Sequence, residues 1–175
     1  MKRELRLEYV YPHPPEKVWR ALTDSKAIAE WLMPNDFEAR VGHKFTLRTD
    51  PQPGFDGIVH CEVLEIDEYR CLSYSWKGGP IDTVLTFTLE PVPGGTRLKV
   101  VQSGFEGVKA VLVSLILGSG SKKIYSTLLP DVIARIDLDG TIRPKSERHD
   151  PRCDKKGMWR VLTFLFSPFL KDRKN

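Results

Sequence analysis

Residues 14–34 read PPEKVWRALTDSKAIAEWLMP and carry the most informative local signals in the chain. Pro14 and Pro15 stop whatever strand precedes them, and Pro15 suits a first helical turn, where a missing N–H costs nothing. Glu16 sits well near the positive end of that helix. Val18 and Leu22, with Trp19 beside them, make one apolar stripe. Asp24 or Ser25 then caps a second short helix, which buries Ala27, Ile28 and Trp31 and stops at Pro34. On periodicity alone, these are two amphipathic helices of an α+β domain.

The pattern changes on either side. Arg3–Tyr11 alternates, with Leu5, Leu7 and Tyr9 on one side, and predicts strand one. After the helices, Phe37–Ala39 predicts a short strand and Val41-Gly42-His43 a turn. Further strands are expected at Phe45–Thr49, Ile58–Ile66, Leu72–Trp76, Thr83–Leu89 and Thr96–Gln102. The connections Asp67–Arg70, Lys77–Pro80 and Pro91–Gly95 carry Gly and Pro where hairpin turns need them. Short turns between sequential strands give an antiparallel meander rather than a doubly wound sheet.

Helical signal resumes after Gly107. Val108–Leu117 is nearly all apolar, too short to span a bilayer, and reads as a buried helix. Gly118-Ser119-Gly120-Ser121 reads as a break, with Ser119 or Ser121 as N-cap. Lacking the Gly-Lys-Ser/Thr order, it is not a phosphate loop. Lys122–Ile136 carries a broad apolar stripe, and Pro130 should kink it.

The order Pro-x-x-Val-Trp (Pro15–Trp19), Leu22-Thr23-Asp24 and Trp31 resembles the opening of START-like domains of the SRPBCC superfamily. More narrowly, it resembles the family named for activators of the heat-shock-protein-90 ATPase. The resemblance implies an α+β helix-grip (birch-pollen-allergen-like) fold. In it a curved antiparallel sheet of six to seven strands grips a long C-terminal helical segment, after two short helices. It also implies an internal cavity and a domain ending near Asp139.

Strand parity then proposes the walls of that cavity. Trp31, Phe45, Leu47, Leu72, Tyr74, Trp76, Leu85, Phe87 and Val100 supply aromatic and aliphatic surface. His60, Glu62, Tyr74 and Gln102 are the polar groups among them. Absent a bulge, His60 and Glu62 point with Leu64 toward the concave interior, whereas a β-bulge would turn them outward. Such a lining suits a small apolar or aromatic molecule. A plainer reading of the same residues is a packed core.

Two other classes stay open. A polyketide cyclase- or aromatase-like enzyme would need His60 or Glu62 inside, the only candidates for acid–base work. A co-chaperone-like adaptor is suggested by the family's name alone. His13 and His43 fall in turns and His149 in a polar stretch, so no metal site is expected, and no cofactor motif is read.

The net charge of +4 is uneven. Residues 141–175 hold ten Lys/Arg against four Asp/Glu, a balance of +6. The first 140 residues hold seventeen basic and nineteen acidic groups, or −2. A nearly neutral domain argues against a nucleic-acid partner. Residues 140–157 read as a polar basic linker. Residues 158–175 read as an apolar-aromatic segment whose core, 158–170, is MWRVLTFLFSPFL between basic flanks. That segment suits docking on its own domain, a membrane interface, or a partner protein. With an odd count of cysteines (Cys61, Cys71, Cys153) and no secretory signal, the expectation is a cytoplasmic protein with free thiols, peripheral to a membrane if the segment binds one.

Overall fold

A computed structural model describes residues 2–51, 55–107, 118 and 120–145. Strand β1 (Lys2–Tyr11) leads into α1 (Pro15–Thr23) and α2 (Ser25–Trp31). Strands β2 (Lys44–Arg48), β3 (Ile58–Asp67), β4 (Cys71–Gly78), β5 (Ile81–Val92) and β6 (Gly95–Glu106) follow. A π-helical turn (Ile124–Leu128) then runs into α3 (Leu129–Arg135). The six strands form one curved antiparallel sheet in the order β1-β6-β5-β4-β3-β2. β1 crosses over to pair with β6, and every other neighbour is a sequential hairpin. The α+β helix-grip architecture expected from the sequence is the one observed.

The helices form for the reasons their sequence gives. Pro14 is the N-cap of α1 and Pro15 its first residue; Val18, Trp19, Ala21 and Leu22 are buried. Asp24 caps α2, its carboxylate accepting the N–H of Lys26 at 2.9 Å and of Ala27 at 3.0 Å. Ser25 takes no part in the cap; its hydroxyl donates to the Asn35 carbonyl and side chain. That tie holds the segment after α2 against its own start. The strand expected at Phe37–Ala39 is absent: only Asn35 bridges, to Leu47. The segment is held instead by Asp36, whose carboxylate accepts the N–H of Thr46 at 2.7 Å and its hydroxyl at 3.2 Å.

Two β-bulges set which side chains face inward. One lies between Val63 and Glu65 in the β3–β4 pairing. Before it Val59, Cys61 and Val63 are buried, and Leu64 is 44% exposed; after it Ile66 packs on the core. The other lies at Gly104, where β6 carries one residue more than β1. Gly104 has φ +98°, a conformation glycine adopts without penalty. The extra residue lets Gln102 and then Phe105 both point inward.

The helix after the sheet also departs from expectation. Gly118 and residues 120–123 are helical, so these residues show no break. The irregularity falls at the π-helical turn, immediately before Pro130. Proline has no N–H and its ring crowds the carbonyl four residues back, and a wider turn relieves both. Beyond α3 the chain folds back: Ile142 bridges Ile136, and the Arg143 N–H donates to the Arg135 carbonyl at 2.9 Å. Arg135 clamps this end, pairing with Glu30 of α2 and with Asp131 at 3.4 Å while donating to the Arg143 carbonyl. The expected buried helix at 108–117 and the expected segment 158–175 lie outside the described residues, as does most of the linker expected at 140–157. No helix among the described residues is long and apolar enough to cross a membrane.

Candidate functional site

Aromatic rings line the concave face of the sheet in an unbroken series. Phe37 meets Phe45 edge-on at 5.1 Å between centroids, and Phe45 meets Tyr74 at 5.3 Å. Tyr74 meets Phe87 at 5.9 Å. Phe87 then touches Trp31 of α2 and Tyr125 of the π-helical turn, at 6.4 and 6.3 Å. Tyr9 continues the series, stacked on Tyr11 at 6.4 Å. Edge-to-face contacts of this kind match the positive ring edge to the negative ring face. The Trp31 indole N–H donates to the Ala21 carbonyl at 2.8 Å, so this ring is fixed in place.

Few polar groups stand among the rings. The Gln102 carboxamide donates to the Thr83 hydroxyl at 2.9 Å, and both residues are buried. The Tyr11 hydroxyl donates to the Tyr125 carbonyl at 2.6 Å. That carbonyl needs a donor for a local reason. In an α-helix the Leu129 N–H would serve it, but in the π-helical turn that N–H goes to Ile124. The next candidate is residue 130, a proline, which has none. Burial pushes the hydroxyls of Tyr11, Tyr74 and Tyr125 far above the ordinary tyrosine range, so all three remain neutral donors. Burial also pushes the Cys61 thiol up to about 12, aided by the charge of Asp36. It raises Cys71 as well, aided by Glu65 and Asp67. Both thiols are free, and neither is tuned toward a thiolate.

The structure sorts the residues expected from sequence. Trp31, Phe45, Leu47, Leu72, Tyr74, Leu85, Phe87, Val100 and Gln102 are all buried on the concave side. Trp76 is half-buried and touches both the main core and a smaller cluster of Leu5, Ile81 and Phe105. His60 and Glu62 are corrections. His60 is exposed and Glu62 only half-buried, on the outer face, because the bulge reverses the strand's phase beyond Val63. No group of His, Cys, Asp and Glu among the described residues could hold a metal ion. The sequence-based wall omitted Tyr9, Tyr11, Phe37 and Tyr125. Tyr9 was legible from the alternation of β1, and Tyr125 from the apolar stripe after residue 122. Tyr11 was not, because its role depends on a carbonyl 114 residues away.

A second concavity opens on the surface, a cleft of about 740 Å³ between α1, the β3–β4 turn and residues 136–140. Trp19 forms part of its lining and meets Tyr69 edge-on at 6.2 Å. Tyr69 holds φ 64°, an uncommon conformation for a bulky residue. Arg20 lies over Gly140, where a Cβ would come within 2.8 Å of the guanidinium.

A curved antiparallel sheet gripping a C-terminal helix across an aromatic face defines a helix-grip protein of the START-like SRPBCC superfamily. Within it the chain belongs to the family of Activator of Hsp90 ATPase homolog 1-like proteins, whose model matches residues 12–126. Among solved structures it is similar to protein MLL2253 from Mesorhizobium loti, with 37% identity and a TM-score of 0.68. That match covers 78% of this chain and 100% of the other. Protein BH1534 from Bacillus halodurans is 26% identical with a TM-score of 0.65, over 76% of this chain and 99% of its own. DynU16, a protein of the dynemicin biosynthetic locus, shares the fold at 22% identity and a TM-score of 0.60, over 75% of this chain and 47% of its own. No curated protein matches the chain.

Proposed function

We propose that the protein binds a small apolar or aromatic molecule between the concave face of its sheet and the C-terminal helical segment. The observation that carries this reading is the ring series from Phe37 through Tyr74 and Phe87 to Tyr125, with the Gln102–Thr83 pair as an isolated polar spot. Apolar walls supply affinity in such a site, and a few polar groups orient what enters. Trp76 stands at the junction of the two apolar clusters, half-buried, where a molecule would meet both. A cyclase-like reaction finds less support, since His60 and Glu62, its acid–base candidates, lie on the outer face. The adaptor reading draws only on the family's name.

The test is native mass spectrometry of gently purified full-length protein, followed by denaturing extraction. The expected result is a copurifying lipid, fatty acid or aromatic metabolite whose retention falls in Trp76→Ala. A bare mass of 20.0 kDa, together with no quenching of tryptophan fluorescence by a panel of apolar probes, would overturn the reading.

A further inference from the structure

The surface cleft has features that a fully solvated surface does not need. Leu138 on its rim is 104% exposed and Tyr69 is 40% exposed, while Trp19 lies beneath them. Large apolar side chains grouped on a rim mark an interaction site more often than scattered ones do. The lining is also acidic: Glu16, Asp24, Glu68, Asp137 and Asp139 stand against Lys17 and Arg20.

The chain carries a complementary segment. Residues 155–174 hold six Lys/Arg and one acidic residue, Asp172, around the apolar run 158–170. The described chain ends beside the cleft: Arg143 pairs with Asp137, a lining residue, at 3.1 Å, and Lys145 lies 4.0 Å from Asp131. From Lys145 to Met158 is 13 residues, which extend to roughly 45 Å, enough to reach any part of the cleft. A docking segment tethered this closely acts at high effective concentration, so modest contacts suffice.

We propose that residues 158–170 dock in this cleft of their own chain, with Leu138 and Tyr69 holding the apolar side chains and the acidic rim holding the basic flanks. Docking in cis removes from solvent both the exposed leucine and an aromatic run that would otherwise seek a membrane or another protein.

Photo-crosslinking tests this in the full chain, with p-benzoylphenylalanine in place of Phe166 and mass spectrometry to map the links. The expected links are intrachain, to residues 14–24, 68–70 or 136–140, and independent of protein dilution. Leu138→Glu should lower their yield, since losing a buried leucine weakens the docking equilibrium roughly tenfold or more. High salt should lower it as well. Leu64→Glu, at an exposed leucine on the outer face of β3, should leave it unchanged, and circular dichroism checks that both variants fold. Links elsewhere on the domain, links only between chains, or a yield indifferent to Leu138→Glu would each overturn the proposal. So would wild-type protein that already sediments with phosphatidylserine vesicles.

Discussion

Tyr11→Phe isolates a single hydrogen bond at the seam between sheet and helix. The substitution keeps the ring, its stack on Tyr9 and nearly all of its volume, so it opens no appreciable cavity. It removes only the hydroxyl that serves the Tyr125 carbonyl at 2.6 Å. That carbonyl loses its ordinary partner twice over, to the π-helical turn and to Pro130, and Tyr125 is 5% exposed. Leaving a buried acceptor unpaired costs about 1–3 kcal/mol. For a protein of this size that corresponds to a fall in Tm of roughly 2–12 °C. Urea unfolding of the full chain is the assay, and the midpoint should fall while the slope stays constant. A double-mutant cycle with Pro130→Ala sharpens the test. Alanine restores an N–H and lets the helix tighten, so the Tyr125 carbonyl gains an alternative donor. Tyr11→Phe should then cost about 1 kcal/mol less than it does in the wild type. A cost below about 0.5 kcal/mol, or an equal cost in both backgrounds, would refute the account of the π-helical turn.

Two further outcomes follow from local geometry and charge. Gly104→Ala should destabilise by about 1–3 kcal/mol, because φ is +98° and the new Cβ would lie 3.2 Å from the Asp82 carbonyl; an unchanged thermal midpoint would show that the bulge tolerates a side chain. Asp36 is held below the usual carboxylate range, first by the Thr46 N–H; burial opposes this as the next-largest effect, and the Thr46 hydroxyl, the Asp36 N–H and Arg48 add to the lowering. Its folded pKa is depressed, so its contribution is full above the unfolded value of about 4 and is lost as pH falls through the folded value. The stability gap between wild type and Asp36→Asn should therefore be widest above about pH 4 and narrow as the pH falls below it, and a gap that does not change across the acid range would contradict the assignment.

Most of the fold was legible in the sequence, and the reasons are local. The helix starts at Pro15 and Asp24, the stop at Pro34 and the hairpin turns near Glu68, Pro80 and Gly94 each depend on a few neighbouring residues. Strand β3 shows where such reading fails. The run VHCEVLEI at 59–66 fits two phases of alternation. Counting back from Ile66 sends His60 and Glu62 inward; counting forward from Val59 sends them outward. The bulge after Val63 satisfies both halves, and nothing in the run itself marks it. The strand expected at Phe37–Ala39 fails for another reason, since the Asp36 carboxylate, bonded to Thr46 of β2, takes the place of a backbone ladder there.

Caps, prolines and alternation act over a few residues, and from them the two short helices, the antiparallel hairpins and part of the aromatic face (Trp31, Phe45, Tyr74 and Phe87) could be read directly. The outward turn of His60 and Glu62, the places of Phe37 and Tyr125 in the ring series, the pairing of Tyr11 with the Tyr125 carbonyl and the cleft beside Trp19 emerge in three dimensions alone. Each of these depends on the register between strands or on contacts between residues far apart in the chain, and such contacts exist only once the sheet has closed on its helices.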